Sequence, residues 1–295
     1  MKIEVASRKR AKIRLSIQGP SGSGKTYGAL LIAKGLVGDL SKVCVIDTEN
    51  SSAELYAHLG RFHTIQLAAP FAPEKFTEAI HLCEASGIEV IIIDSASHEW
   101  DGVGGILDIH ASIPGNSFSA WSKVTPRHNQ FVQSMLHCNA HVITTIRSKQ
   151  EYVLSDKNGK QVPEKVGMKG IQRDGYEYDS TIAFELLHNH QVIISKDRTG
   201  LFVGKYDLVL TPEIGISIAK WCTEGDEVTQ EMVEERISQC KSIQELLELY
   251  MKSKSYQQML KHLFENRKRE LITGSTQSHS SSEKLHENGT VGEQV

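Results

Sequence analysis

Gly19-Pro20-Ser21-Gly22-Ser23-Gly24-Lys25-Thr26 satisfies every fixed position of the phosphate-binding pattern G-x-x-x-x-G-K-[ST]. Residues 13–17 before it alternate in polarity as a short strand does, and residues 27–34 after it read as a helix. A strand that enters a glycine-rich turn and then a helix N-terminus aims backbone N–H groups at one point, where the helix dipole adds positive potential. The sequence therefore predicts a nucleotide site formed by residues 19–26 and the following Tyr27.

Lys25 and Thr26 close the loop, and each has its own expected role. The Lys25 ammonium is expected to bind the β- and γ-phosphates and to act in catalysis, and the Thr26 hydroxyl is expected to bind Mg²⁺. The apolar run 90–93 ends in Asp94, which is the Walker B arrangement. A buried strand delivers such a carboxylate to its C-terminal end, where α/β sheets bind ligands. We therefore expect Asp94 to hold the same Mg²⁺ through water, with ATP and Mg²⁺ as the cofactors.

The composition of the 295 residues is that of an ordinary soluble protein with a net charge of −3. Because the chain is not basic overall, any nucleic-acid contact must come from a local patch. Its five cysteines are scattered without a C-x-x-C pair, which indicates reduced thiols in a cytosolic protein. No apolar run approaches membrane-spanning length and no signal peptide is recognisable, so we expect a cytoplasmic protein without membrane contact.

Strand-like and helical segments alternate along the first half of the chain. Such alternation predicts an α/β fold with a mostly parallel central sheet flanked by helices. The predicted buried strands are residues 13–17, 43–46, 90–93 and 142–146, and the predicted helices are residues 27–36, 76–86 and 127–136. Further strands, antiparallel at one edge, are predicted at residues 181–187, 191–195 and 201–203.

The segment Val45-Ile46-Asp47-Thr48-Glu49 at the end of the second strand resembles the RecA family. RecA-type recombinases carry their catalytic glutamate at this strand end, so the resemblance implies that Glu49 orients and deprotonates the attacking water. Most other phosphate-loop ATPases place the catalytic acid directly after Walker B, where Glu99 is the competitor. Serine rather than glutamate follows Asp94, which favours Glu49. Thr144 and Thr145, with Arg147 beyond them, are candidates for sensing the γ-phosphate.

The segment Ser195-Lys196-Asp197-Arg198-Thr199-Gly200 resembles the Lys-x-Arg pair of DnaB-type helicases and RadA proteins. In those families the pair reaches across a subunit interface to the neighbour's γ-phosphate. The resemblance implies that Lys196 and Arg198 act in catalysis in trans and that the active protein is a homo-oligomer, a ring or a filament. A solvated basic turn is the alternative.

A long insertion, residues 147–179, follows the fourth strand and mixes cations with tyrosines. Asp156-Lys157-Asn158-Gly159 within it predicts a hairpin turn. In RecA-like proteins the loop after this strand contacts DNA, and cations with aromatic platforms suit single-stranded DNA. The candidate DNA-binding residues are Lys149, Tyr152, Lys157, Lys160, Lys169 and Arg173. Nearby acids nearly cancel the charge, so a structural flap is the alternative, and residues 100–126 are a candidate second DNA loop.

Residues 13–222 resemble a shortened RecA-like core, and three segments are similar to phage-encoded proteins of the Sak-four type. These segments are Asp94-Ser95-Ala96-Ser97-His98-Glu99-Trp100, Trp121-Ser122-Lys123-Val124 and Gly167-Met168-Lys169-Gly170. The resemblance implies ATP-dependent work on single-stranded DNA in phage recombination or replication, inside the bacterial host cytoplasm. A single-strand binding protein, or another replication or recombination protein, is then an expected partner.

These patterns divide the chain into four segments. The predicted segments are a basic leader at 1–12, a RecA-like ATPase core at 13–223, a helical appendage at 224–270 and a disordered tail at 271–295. The appendage either packs on the core or binds a partner.

Two functions other than ATP-dependent work on DNA also stay open. The second function is an ATP-gated regulator or assembly adaptor that does not act on DNA directly. The third, a small-molecule phosphotransferase, is disfavoured because the insertion lacks the several arginines of a kinase lid.

Overall fold

The structure is a computed structural model that describes residues 11–157, 160–223, 230–253 and 256–283. Within these ranges, the side chains of residues 152–166, 252 and 273–283 are not described. Most of the predicted basic leader therefore lies outside the described residues. The chain divides into two compact units, residues 1–225 and 226–295.

The first unit is built on a mixed sheet whose strands are ordered β3-β2-β4-β5-β1-β7-β8-β9, with β6 paired to β5. The strands are β1 Arg14–Gly19, β2 Val43–Asp47, β3 His63–Gln66, β4 Val90–Asp94, β5 His141–Lys157, β6 Lys160–Gly170, β7 Ile182–Leu186, β8 Gln191–Asp197 and β9 Leu208–Val209. From β3 through β7 every neighbouring pair is parallel. The C-terminal ends of β1, β2, β4 and β7 therefore meet at one edge of the sheet.

Helices cover both faces of this sheet, and the prediction of a mostly parallel α/β sheet is confirmed. The helices of this unit are α1 Lys25–Val37, α2 Pro73–Ala85, α3 Ser97–Asp101, α4 Ile106–Ser112, α5 Ser117–His137 and α6 Pro212–Thr223. Side chains of α1 and α6 join one buried apolar layer, and those of α2 and α5 join the other. Glycines let α1 and α6 approach closely: a Cβ on Gly35 would lie 1.9 Å from the Pro212 carbonyl oxygen.

The strands predicted at 181–187 and 191–195 are present as β7 and β8 and pair antiparallel with each other, while β7 pairs parallel with β1. Two other details of the prediction are wrong. Residues 201–203 form no strand, because the Asp197 carboxylate accepts the N–H groups of Thr199, Gly200 and Phe202 and turns the chain. Residues 100–126 are mostly helical rather than a loop, since α3, α4 and the start of α5 lie there.

The two strands that flank the predicted hairpin turn are present, since β5 and β6 pair antiparallel up to Lys157 opposite Lys160. Asn158 and Gly159 of the turn itself lie outside the described residues. β5 pairs with β1 only as far as Arg147, opposite Gly19, and then continues for ten more residues. The hairpin therefore projects beyond the sheet edge at which β1 ends.

The second unit contains three helices in its described part: α7 Gln230–Gln239, α8 Ile243–Lys252 and α9 Lys261–Glu283. They share a small apolar core that includes Val233, Leu246 and Phe264. The predicted cap of α8 is present, since the Ser242 hydroxyl accepts the Glu245 N–H at 3.1 Å. α9 extends to Glu283, with Leu271 packed against this core, and so includes the first part of the predicted tail. Residues 284–295 of that tail lie outside the described residues.

Candidate active site

The phosphate-binding loop joins β1 to α1 at the edge where the parallel strands end. Gly22 and Gly24 have φ values of 77° and 92°, which favour glycine because a Cβ is strained in this left-handed region. Gly24 is the N-cap of α1, so the first N–H groups of the helix open towards the loop. The loop lines a cavity of about 660 Å³. A glycine-rich loop at a helix N-terminus suits an anion.

Lys25 is the cation at the base of this cavity. Its side chain is almost buried, and Nζ donates to the Pro20 carbonyl oxygen at 2.8 Å. Burial lowers the pKa of Lys25, and the carboxylates of Asp94 and Glu49 oppose that shift. The ammonium thus contacts a neutral carbonyl within the loop, which leaves its charge free to bind a phosphate.

Asp94 lies at the end of β4, where two hydroxyl groups donate to its carboxylate. The Thr26 hydroxyl donates to Oδ2 at 2.6 Å and the Thr145 hydroxyl donates to Oδ1. Burial raises the pKa of Asp94, and the two hydroxyl donors oppose that shift. A hydroxyl and a carboxylate in contact are hard oxygen ligands, which Mg²⁺ prefers in combination with substrate phosphates. Thr26 and Asp94 therefore fit the Mg²⁺ that the sequence predicts.

Glu49 and Arg147 form an ion pair that lines the same cavity. Arg147 Nε donates to Glu49 Oε1 at 2.7 Å. The turn that carries Glu49 is fixed by Asp47, whose carboxylate accepts the N–H groups of Glu49 and Ala53 at 2.6 Å and 3.0 Å. Partial burial raises the pKa of Glu49, but the Arg147 guanidinium outweighs it and the pKa lies below its usual value. Glu49 is thus ionised beside the loop.

Glu99, the competing candidate for the catalytic acid, lies outside the nucleotide cavity. It is completely buried on α3, where its carboxylate contacts His128 Nδ1 at 3.0 Å and accepts a hydrogen bond from Gln172 Nε2 at 3.3 Å. Burial raises the pKa of Glu99, against the His128 contact. Glu99 does not line the cavity that contains Glu49 and Lys25. The geometry therefore favours Glu49 over Glu99 as the acid that faces a nucleotide.

The family model described as an AAA domain matches residues 11–200, more than half of the chain. The chain belongs to this AAA domain family. Membership makes it a P-loop ATPase, a class that binds nucleotide and typically uses Mg²⁺. No curated protein matches the sequence. Among the described residues, no helix is both long enough and apolar enough to cross a membrane.

The cavity of this AAA-family protein also includes residues that the motifs do not reveal. Tyr56 packs on Tyr27 with ring centroids 5.6 Å apart, and both line the cavity. On another wall, Leu210 lies so close to α1 that a Cβ on Gly28 would be 2.4 Å from its Cδ1. His190, in the turn between β7 and β8, also lines the cavity. No sequence motif marks Tyr56, Leu210 or His190, because only the folding of the chain brings them close to the loop.

Lys196 and Arg198 lie away from the nucleotide cavity of their own subunit. Lys196 pairs with Ala183, which in turn lies beside Ser16, three residues before the end of β1. Because β8 is antiparallel, Arg198 lies still further from the loop. Lys196 Nζ donates to the Glu177 carbonyl oxygen at 2.9 Å, and neither cation lines the nucleotide cavity. This position does not allow them to reach a nucleotide in the same subunit.

The candidate DNA-binding residues are only partly brought together. Lys149, Lys169 and Arg173 line a second cavity of about 520 Å³, together with Trp100 and Trp121. Lys149 is exposed, whereas Lys169 forms an ion pair with Asp174 at 2.7 Å and Arg173 donates to Asn129 Oδ1 at 3.3 Å. The side chains of Tyr152, Lys157 and Lys160 lie outside the described residues. We call the second cavity the outer cavity.

Proposed function

We propose that this ATPase hydrolyses ATP on single-stranded DNA as a homo-oligomer, in phage recombination or replication. The observation that carries the proposal is the course of β5. Thr145, Arg147 and Lys149 are at alternate positions of this strand, so their side chains share one face. Thr145 donates to Asp94, Arg147 pairs with Glu49, and Lys149 lines the outer cavity. One strand thereby joins the catalytic groups to a surface for a second ligand.

The outer cavity offers what a nucleic-acid strand requires. Lys149 supplies an exposed cation for a phosphate, and no described residue forms an ion pair with it. Trp100 and Trp121 line the same cavity and stack on each other with ring centroids 5.8 Å apart. Stacking of bases on aromatic side chains tolerates any sequence, and cations follow the backbone. DNA bound at Lys149 would lie about 13 Å along the strand from Thr145, at about 3.3 Å per residue.

The catalytic roles follow from the positions around the loop. Lys25 and the N–H groups at the start of α1 bind and orient the phosphates, and the buried cavity floor strengthens these interactions. Glu49, ionised and held by Arg147, orients the attacking water and accepts its proton. Mg²⁺, held by Thr26 and Asp94, would neutralise charge on the phosphate oxygens. A DNA strand that moves β5 would shift Arg147 and with it Glu49.

DNA stimulation is the first expected result. ATP hydrolysis should rise several-fold on adding single-stranded DNA of any sequence, and binding should weaken steeply with salt because phosphate contacts release counterions. Lys149→Ala should reduce the stimulation and lower the salt slope by about 1. Lys220→Ala, which removes an exposed lysine on α6, is the matched control and should change neither. A Lys149→Ala protein with wild-type salt dependence would move the DNA site elsewhere.

Subunit mixing tests the expected roles of Lys196 and Arg198. Arg198→Ala subunits keep an intact loop and Lys25→Ala subunits keep an intact Arg198, so mixed oligomers contain some interfaces with both. We expect the mixture to hydrolyse ATP faster than either variant alone, because an arginine acting in trans can supply orders of magnitude in rate. Verified co-assembly without recovery at any mixing ratio would show that Arg198 does not act across the interface.

An ATP-gated regulator or adaptor is the second candidate, and the C-terminal unit favours it. Leu247, Met251 and Met259 are large apolar side chains that are exposed on that unit. Where exposed apolar side chains form a contiguous patch, they mark a surface that binds a partner protein. Hydrolysis that is indifferent to DNA, combined with no DNA binding at low salt, would support this candidate over the first.

A further inference from the structure

His190 lies in the tight turn between β7 and β8, and none of the proposed catalytic roles involves it. Its backbone has a φ of 66°, which is uncommon for a residue other than glycine. Its ring lies on Gly24, since a Cβ built on that glycine would be 3.3 Å from His190 Nδ1. The turn therefore directs an imidazole onto the phosphate-binding loop, and His190 is one of the residues that line the nucleotide cavity.

The contact between His190 and the loop is a specific hydrogen bond. His190 Nδ1 lies 2.9 Å from the carbonyl oxygen of Ser23. A carbonyl oxygen can only accept, so Nδ1 carries the proton. The loop has other carbonyl contacts, but their donors belong to the loop and its helix: Lys25 donates to Pro20, and the Gly28 N–H donates to Gly24. For Ser23 the donor comes from another strand connection, 167 residues away.

The orientation of this carbonyl decides where the next N–H points. A trans peptide unit is planar, so its C=O and N–H groups point in opposite directions. When His190 holds the Ser23 carbonyl, the Gly24 N–H of the same peptide unit is turned away from His190. Gly24 has a φ of 92°, and glycine allows this peptide unit to rotate more freely than other residues do. A rotated unit would direct a carbonyl oxygen, rather than an N–H, to the side that Gly24 N–H now faces.

We propose that His190 is a positioning residue for nucleotide binding, which fixes the Ser23–Gly24 peptide unit so that the Gly24 N–H donates to a nucleotide phosphate. Binding of a phosphate by this loop depends on N–H groups that are already aimed at it. His190 supplies that aim from outside the loop, and its effect applies to any nucleotide with a β-phosphate. The inference concerns nucleotide binding alone, so it stands whether or not the protein acts on DNA.

The test compares His190→Asn with His190→Gly. The asparagine Nδ2 is bonded to Cγ as His190 Nδ1 is, so it can donate from the same place, and asparagine accepts positive φ. Glycine also accepts positive φ but has no donor. The matched control is His188→Gly, which removes an exposed histidine from the same turn. The readouts are the dissociation constant of Mg·ADP by calorimetry, the melting temperature, and kcat and KM for ATP.

We expect His190→Gly to bind Mg·ADP about tenfold more weakly, the change that loss of one hydrogen bond produces. KM should rise by a similar factor, and the melting temperature should stay near that of the wild type. His190→Asn should restore binding to within about threefold, which a purely structural role of the ring would not predict. Wild-type affinity in His190→Gly overturns the proposal. A His190→Asn protein that binds Mg·ADP about tenfold more weakly than the wild type also overturns it, and this measurement decides by itself if the glycine variant does not fold.

Discussion

Lys25→Ala is expected to abolish ATP hydrolysis and to weaken nucleotide binding by up to about 100-fold, since a hydrogen bond to a charged group contributes up to about 3 kcal/mol. The Lys25 ammonium lines the cavity, and the acceptor of its hydrogen bond within the loop is the neutral carbonyl oxygen of Pro20. Its charge therefore interacts with the β- and γ-phosphates in the ground state and in the transition state. Calorimetric titration with Mg·ADP and a phosphate-release assay measure the two effects.

The same substitution should leave the fold intact. Lys25 is a buried cation that no carboxylate of the described residues contacts directly, and removing it relieves the cost of desolvating the charge. The melting temperature should therefore be unchanged or higher. Lys34→Ala removes an exposed lysine from the same helix and should change neither binding nor turnover. Unchanged hydrolysis in a correctly folded Lys25→Ala protein would contradict the assignment of the site.

The edge of the sheet that carries the candidate active site could be predicted from sequence because each element there has its own local pattern. The loop has its own pattern, and Glu49 and Asp94 each follow an apolar run. Since β2, β4 and β1 are parallel, the ends of these runs must meet at one edge. Arg147 also follows an apolar run, so it is expected near the same edge. The register agrees, since Arg147 of β5 lies opposite Gly19 at the end of β1.

Other parts of the site depend on tertiary structure that no local pattern encodes. His190 reaches Ser23 because β7 lies beside β1 as a parallel strand, a pairing that the sequence patterns do not predict. β3 was missed because His63–Gln66 is short and half polar, so it lacks the apolar run of a buried strand. The sequence makes Lys169 a candidate DNA-binding residue, yet its Nζ lies 2.7 Å from Asp174 Oδ1. Whether a lysine is available for DNA is decided by such distances, which charge patterns along the chain do not give.

Glu49→Gln is expected to lower kcat by about 10²–10⁴-fold while leaving ATP affinity within a few-fold of the wild type, because general-base catalysis contributes on this scale. Glutamine has the shape of glutamate and can still contact Arg147, so the cavity keeps its geometry. What is lost is the anionic oxygen that accepts the proton of the attacking water. A split between kcat and binding is the signature of an interaction made in the transition state. Single-turnover hydrolysis and equilibrium binding of ATP measure the two quantities.

Glu99→Gln is the matched control, because it makes the same change at the competing carboxylate. Glu99 is completely buried, and its partners are His128 and Gln172 rather than a residue of the nucleotide cavity. Removing the charge therefore disturbs this buried network, and we expect a lower melting temperature with kcat reduced less than about tenfold. The opposite pattern, with turnover lost in Glu99→Gln and kept in Glu49→Gln, would show that the catalytic acid follows Walker B. The ion pair of Arg147 with Glu49 would then have another role than activating water.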